Sequence, residues 1–573
     1  MSAYETTLAN LTQRFEQERR GDHWEGELAS SALSTAVAVI ALTLAGRDAL
    51  ASDGARWLLE QQNDDGGWGD TDRSLSNIST SALCWATLTL RNEASAGEAV
   101  ENAAEYMRDR AGGLDPASLV EAIKRRYGKD HTFSVPILTV LAIAGLLGER
   151  GWRRIPQLPF ELAAFPQSWY AAMKLPVVSY ALPALIAIGQ ARHVKAPTRN
   201  PLTRVFRNAV RERTLVKLDA IQPPNGGFLE ATPLTSFVTM SLIVAGKRDH
   251  VVVRRGLEFL EQSVRADGSW PIDTNLATWV TTLGVNALQG GVERKDEVRA
   301  WLLKQQYRTV HPFTAAPPGA WAWTDLPGGV PDADDTPGAL LALHALEDEP
   351  SAETVDAARR GLLWLLDLQN ADGGIPTFCK GWGALPFDRS SPDLTAHTIR
   401  AFAAWRPHVA DLQAQLDRAT ARAVRYLEHV QGADGSWTPL WFGNQRAPGE
   451  LNLTYGTAKV LKALRALPGN PSPQAVEAAE RWLVDAQNDD GSWGGEEPSI
   501  EETALAVTAL SGIPSAAEAV ARGLERLVAW TNQGRHTHAS PIGFYFAKLW
   551  YHERLYPLVF AMEAFHAVVR SSR

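Results

Sequence analysis

Three carboxylic acids, Asp332, Asp334 and Asp335, stand within four residues of one another in PDADDTPGALLAL, and Asp393 and His397 are four apart in DLTAH. The spacing of Asp393 and His397 puts both on one face if DLTAH is helical. Thr336 and Pro337 predict a helix start, with Thr336 as N-cap and Pro337 in the first turn. Acidic residues before a helix often serve only to cap it and meet its dipole. A carboxyl cluster in a dry pocket has a sharper use, because desolvation and neighbouring carboxylates hold a proton on one member. Such an acid could protonate a very weak base such as an alkene, Asp334 being the donor and His397 the partner of its conjugate base.

Protonating an alkene leaves a carbocation, which needs walls that stabilise positive charge without bonding to it. Aromatic faces do so, at about 0.5 to 2 kcal/mol each. The chain has 20 tryptophans, most of which must serve packing. Context singles out Trp169, Trp279, Trp323, Phe378, Trp441 and Phe544 as candidates; Trp321 and Trp323 lie in GAWAW, just before the acid cluster.

A recurring phrase must supply the scaffold: a helix end rich in Trp, Leu and Gln, then Asp-Gly-x-Trp, then a turn opening a new apolar helix. Clear copies are QNDDGGW (Gln62 to Trp68), QGADGSW (Gln431 to Trp437) and QNDDGSW (Gln487 to Trp493). Degraded copies are QPPNGGF from Gln222, VRADGSW from Val264 and QNADGGI from Gln369. Gln can bond the carbonyls left open at a helix end, Gly supplies the stop, and the indole packs on the next unit. Copies about forty to sixty residues apart leave room for two helices each, the arithmetic of a helical array closed into α/α barrels. The reading is all-α, since TPGALLALHAL, EETALAVTAL and TAKVLKALRAL carry the helical period.

The 573 residues exceed one ordinary core. A net charge of -9 gives no nucleic-acid footprint. Two cysteines, Cys84 and Cys379, make no disulfide framework and suit a reducing cytoplasm. The polar N-terminus lacks a signal-peptide run, and the apolar stretches from Ala32 and Pro136 fall short of a membrane span. The expected location is cytoplasmic, with peripheral membrane contact compatible. Residues 190–222 read as an inter-domain region, where KAPTRNP breaks helix and RVFRNAVRERTLVKLD follows as a basic amphipathic segment. That segment reads as a solvated connector or as an interfacial helix.

Taken together, the DxDD motif at Asp332 to Asp335, the Gln/Trp (QW) repeats, DLTAH and LTYGT around Tyr455 resemble the squalene-hopene and oxidosqualene cyclase family, over nearly the whole chain. The resemblance implies a class II, protonation-initiated terpene cyclase with two α/α barrels. Residues 1–20 would pack on the catalytic barrel, 21–275 would form the inserted barrel and 276–573 the catalytic one. It also implies Asp334 as proton donor, supported by Asp332 and Asp335, with His397 bonded to it and Asp393 and Tyr455 completing the network. Trp169, Trp323, Phe378, Trp437 and Phe544 fall where the family has cavity aromatics. Val280 departs from it, where the family usually has an acidic residue. The substrate implied is a linear polyprene such as squalene, without cofactor or metal. The alternative is a prenyl diphosphate, with Lys548 and Arg554 as anion contacts and magnesium admissible. A non-catalytic helical scaffold is the remaining reading. No DDxxD motif or zinc-ligand cluster supports ionisation-initiated or prenyltransferase chemistry, and a homodimer is compatible with the sequence.

Overall fold

The structure, a computed structural model, describes residues 3–128, 130–166, 169, 181–312, 314–378, 388–543 and 548–571. These residues fold into helices and short connections, with isolated bridges and no strand among the described residues.

Two closed rings organise the helices. The first contains α1 (Ala32–Ala45), α2 (Ile78–Arg91), α3 (His131–Ile143), α4 (Leu182–Lys195) and α5 (Thr232–Val244), and α5 returns to pack on α1. The second contains α6 (Ala277–Ala287), α7 (Asp335–Leu346), α8 (Pro392–Trp405), α9 (Leu453–Ala466), α10 (Ile500–Leu510) and α11 (Tyr556–Ser571), and α11 closes on α6. Ring helices are apolar or small on most faces because other helices cover them on most sides; all residues of α10 are buried. Outer helices such as Val251–Ser263, Gln413–Val430 and Ala517–Asn532 are amphipathic, burying one stripe against the ring. One apolar core spans Ala32 to Trp270 and adds Val330 and Phe378; the other runs from Leu11 to Leu28 and from Ile272 to Phe565.

The Gln/Trp phrases are the rivets of both rings. Gln62, Gln222, Gln369, Gln431 and Gln487 each donate through Nε2 to the glycine carbonyl four residues on and to a carbonyl in the next outer helix. Trp68, Trp270, Trp437 and Trp493 each donate Nε1–H to a leucine carbonyl ten residues back. Truncating one such buried indole to Ala should cost about 3 to 5 kcal/mol. Gly435 shows why glycine is needed: its φ is +97°, and a Cβ there would stand 2.6 Å from the Ala478 carbonyl oxygen. A further copy escapes the sequence pattern: Gln306 bonds the carbonyls of Gly319 and Ala357, and Trp321 bonds that of Leu302. An inserted loop stretches its Gln-to-Gly interval from four residues to thirteen.

The helix Pro201–Ile221 is not a connector. Its Leu215, Leu218 and Ile221 join the first core, while Leu202 and Val205 stand 81% and 68% exposed. At the other end, helix Ala3–Gln17 packs on α11, Trp24 donates to the Phe15 carbonyl at 2.6 Å, and Arg554 holds Glu18 through two bonds.

Candidate active site

The loop before α7 positions the acids. Asp332 Oδ1 accepts the backbone N–H groups of Asp334 and Asp335, each at 2.8 Å. Asp332 rather than Thr336 therefore caps the helix, which already includes Asp335. Thr336 lies one residue too far into the first turn and instead accepts the N–H of Trp321 at 3.1 Å. Held this way, Asp334 presents Oδ1 to α8, 2.8 Å from His397 Nδ1.

Burial pushes Asp332 up to about 7 against the two N–H bonds that oppose it, and pushes Asp335 well above the usual carboxylate range. Asp332 Oδ2 and Asp335 Oδ1 are both buried. Burial holds His397 down to about 4; its bond to Asp334 opposes this without prevailing. The imidazole is thus neutral near pH 7.

Asp393 and Tyr455 stand close but outside the direct hydrogen bond. Asp393 Oδ1 accepts from Leu440 N at 3.2 Å and from Ser391 Oγ, and burial raises its carboxyl. The Tyr455 ring packs 4.4 Å from that of Phe442, and burial holds its phenol well above the ordinary value. Neither bonds Asp334 or His397; the Asp393 carboxylate is taken up by Ser391 and Leu440 instead.

All three acids open onto one cavity of ≈ 590 Å³. Its walls include Trp279, Trp323, Phe378, Trp441, Phe442, Phe237 and Tyr551, and none of the described lining residues is Lys or Arg. Phe378 meets Trp323 and Trp441 edge-on, each at 6.2 Å, and Trp279 meets His397 the same way at 6.2 Å. Trp279 is oriented by its Nε1–H donation to Tyr556 Oη, and Trp441 by donation to Thr377.

Three expected cavity residues lie elsewhere. Trp169 is 57% exposed and stacks on Phe165. Trp437 is buried, with its indole spent on the Leu427 carbonyl. Lys548 is paired with Glu450 and lines no cavity, just as Arg554 is paired with Glu18. Phe544 and Cys379 lie outside the described residues. Sequence reasoning missed Phe442, Tyr551 and Asp273. Tyr551 lies three residues after Lys548 in KLWYHERLYP, whereas nothing local marks Asp273, a lining carboxyl that burial, then Glu230, push up to about 8.

Residues 273–548 match the squalene-hopene cyclase C-terminal domain and residues 9–201 the squalene-hopene cyclase N-terminal domain. The chain belongs to the squalene-hopene cyclase family of class II terpene cyclases. It is 26% identical to a terpene cyclase-glycosyl transferase fusion protein of Humicola fuscoatra, with 91% of this chain aligned; it spans 46% of that protein, just under half its length. It is also 26% identical to a copalyl diphosphate synthase of Streptomyces cyslabdanicus, over 87% of this chain and 84% of that one. Its fold is similar to that of ent-copalyl diphosphate synthase from Streptomyces platensis, with a TM-score of 0.55 at 18% identity and all of both chains covered.

No helix among the described residues is long and apolar enough to cross a membrane. Among the same residues, no group of three or more His, Cys, Asp or Glu side chains is placed to hold a metal.

Proposed function

We propose that the protein cyclises a linear isoprenoid by proton transfer from Asp334. The observation that carries this is the Asp334–His397 contact of 2.8 Å at the wall of an aromatic cavity. In the proposed step the Asp334 O–H bond breaks as the alkene π pair forms a C–H bond, leaving a tertiary cation. Asp332 and Asp335 hold the loop and keep the site acidic, and His397 hydrogen-bonds the new carboxylate. Trp279, Trp323, Phe378 and Trp441 face the cation as further alkenes close rings, until a proton is lost or water adds. Asp393 and Tyr455 support this constellation from behind. The catalytic unit of this reading is residues 276–573, with 21–275 supplying the opposite wall and 1–20 bracing the ring, a division supported by the two cores.

A neutral polyprene such as squalene suits the apolar and aromatic side chains that make up most of the described lining of the main cavity. A prenyl diphosphate is favoured by a second pocket of ≈ 340 Å³ containing Arg110, Arg125 and Arg126. The two are lined by neighbours along the chain: Tyr127, Leu549 and Tyr551 line the first, and Arg126 and Trp550 the second. The diphosphate synthase aligned over most of both chains supports the same reading. Exposed Leu202, Val205, Phe206, Phe165 and Trp169 suit peripheral contact with a membrane that carries the substrate.

The test is parallel incubation with squalene, farnesyl diphosphate and geranylgeranyl diphosphate, with and without magnesium, followed by mass spectrometry before and after phosphatase. A cyclic isomer or hydrate of squalene assigns the neutral substrate; a cyclic alcohol released only by phosphatase assigns the diphosphate. Equal products from wild type and Asp334→Asn would overturn the proposed donor.

A further inference from the structure

Three cations are gathered inside the second ring, beyond the acid as seen from the cavity. Arg400 is three residues after His397 on α8, and Lys459 and Lys462 are four and seven after Tyr455 on α9. Each therefore continues its neighbour's helix face one or two turns further along the barrel. On α11, Glu563 pairs with Lys462 and acts on all three cations. Helices α9 and α11 are not adjacent, since α10 lies between them, so their contact fixes the cluster in the ring interior. Lys459 Nζ stands 5.2 Å from the Tyr455 ring centroid, and its charge is felt at Asp334 and Asp393. Arg400 makes no ion pair among the described residues.

The charge count does not balance within the cluster. Arg400, Lys459 and Lys462 face one carboxylate, Glu563, which burial would raise but which these cations hold down to about 2. Half-buried charge of one sign is costly unless opposite charge is nearby. Among the described residues, acids of the active site are also in reach: Asp334 and Asp393 with Lys459, and Asp334 with His397. The titratable groups facing the acid are therefore Asp332 and Asp335 at the start of α7, Asp393 and His397 on α8, Tyr455 and Lys459 on α9, and Tyr551 before α11.

We propose that Lys459 and Arg400 are positioning residues for the acid, their half-buried positive charge stabilising the carboxylate that Asp334 becomes when its proton has left. The inference rests on reading Asp334 as the donor. In this reading the cations stand behind His397, beyond the acid as seen from the alkene. The same cations oppose a charge on His397, so that the imidazole remains a neutral hydrogen-bond partner.

The test compares Lys459→Met, Lys459→Arg and Arg400→Gln with wild type. The His397 imidazole is titrated by NMR in histidine-labelled protein without substrate, and kcat and KM are measured on whichever of squalene and geranylgeranyl diphosphate wild type turns over. The expected result is a His397 titration moved to higher pH in Lys459→Met and Arg400→Gln, kcat lowered about tenfold at unchanged KM, and both restored by Lys459→Arg. A Lys459→Met protein with wild-type kcat overturns the inference, wherever its imidazole titrates. So does a Lys459→Arg protein as impaired as Lys459→Met, which would make the role one of packing. Activity retained in Asp334→Asn would instead remove the donor reading beneath it.

Discussion

The carboxylate of Asp332 receives the backbone N–H of Asp334 at 2.8 Å, so one acid of the motif builds the turn that aims another. The two should fail differently when altered. Asp334→Asn keeps the turn and should lose at least about 10³-fold in turnover with little change in melting temperature. Asp332→Ala removes the cap and should cost about 1 to 2 kcal/mol of stability as well as activity. Calorimetry beside steady-state assays checks both.

Activity should peak in mildly acid solution. Above about 7, ionised Asp332 adds a negative charge to the buried cluster that must deliver a proton; below about 4, protonated His397 puts a positive charge beside the cavity in which a carbocation must form. A bell-shaped profile of kcat/KM between these limits is expected. A rate that climbs steadily to alkaline pH would contradict it.

Stability should follow the buried acids. Asp273 titrates at about 8, and Asp332, Glu501, Glu502 and Glu553 at about 7, all raised by burial. Raised values mean that the folded chain binds more protons than the unfolded one in this range, so stability grows as pH falls. The melting temperature should therefore rise between about pH 8.5 and about pH 6.5, before the histidines with depressed values, His311, His397 and His552, begin to oppose the trend.

The rivets should matter to the fold and not to the chemistry. Gln431→Ala removes two bonds, at 2.9 and 3.0 Å, and leaves carbonyls of Gly435 and Ala475 without them. A loss of about 2 kcal/mol in chemical denaturation is expected, with kcat within about twofold of wild type.

The acid motif and the barrel rivets could be read along the chain because each is local: Asp332 acts on residues two and three positions away, and Gln431 on a glycine four positions away. The copy begun by Gln306 was hidden by the loop inside it. The cavity wall was only partly readable, since Trp437 and Trp441 look alike in sequence while a single turn separates an indole spent on the scaffold from one facing the cavity. The cation cluster was not readable at all. Arg400, Lys459 and Glu563 meet only because the ring closes, which no local pattern records.

That closure also sets an order of assembly. The first core lacks only Val330 and Phe378 among its buried members once Trp270 has been made, but the second needs α11 to meet α6, with helix Ala3–Gln17 laid against α11. During synthesis, some three hundred residues of ring helix and rivet must wait with apolar faces uncovered until α11 leaves the ribosome. Helix Ala3–Gln17, made before either ring, finds its place only then, and the waiting chain is the stage at which chaperones have most to protect.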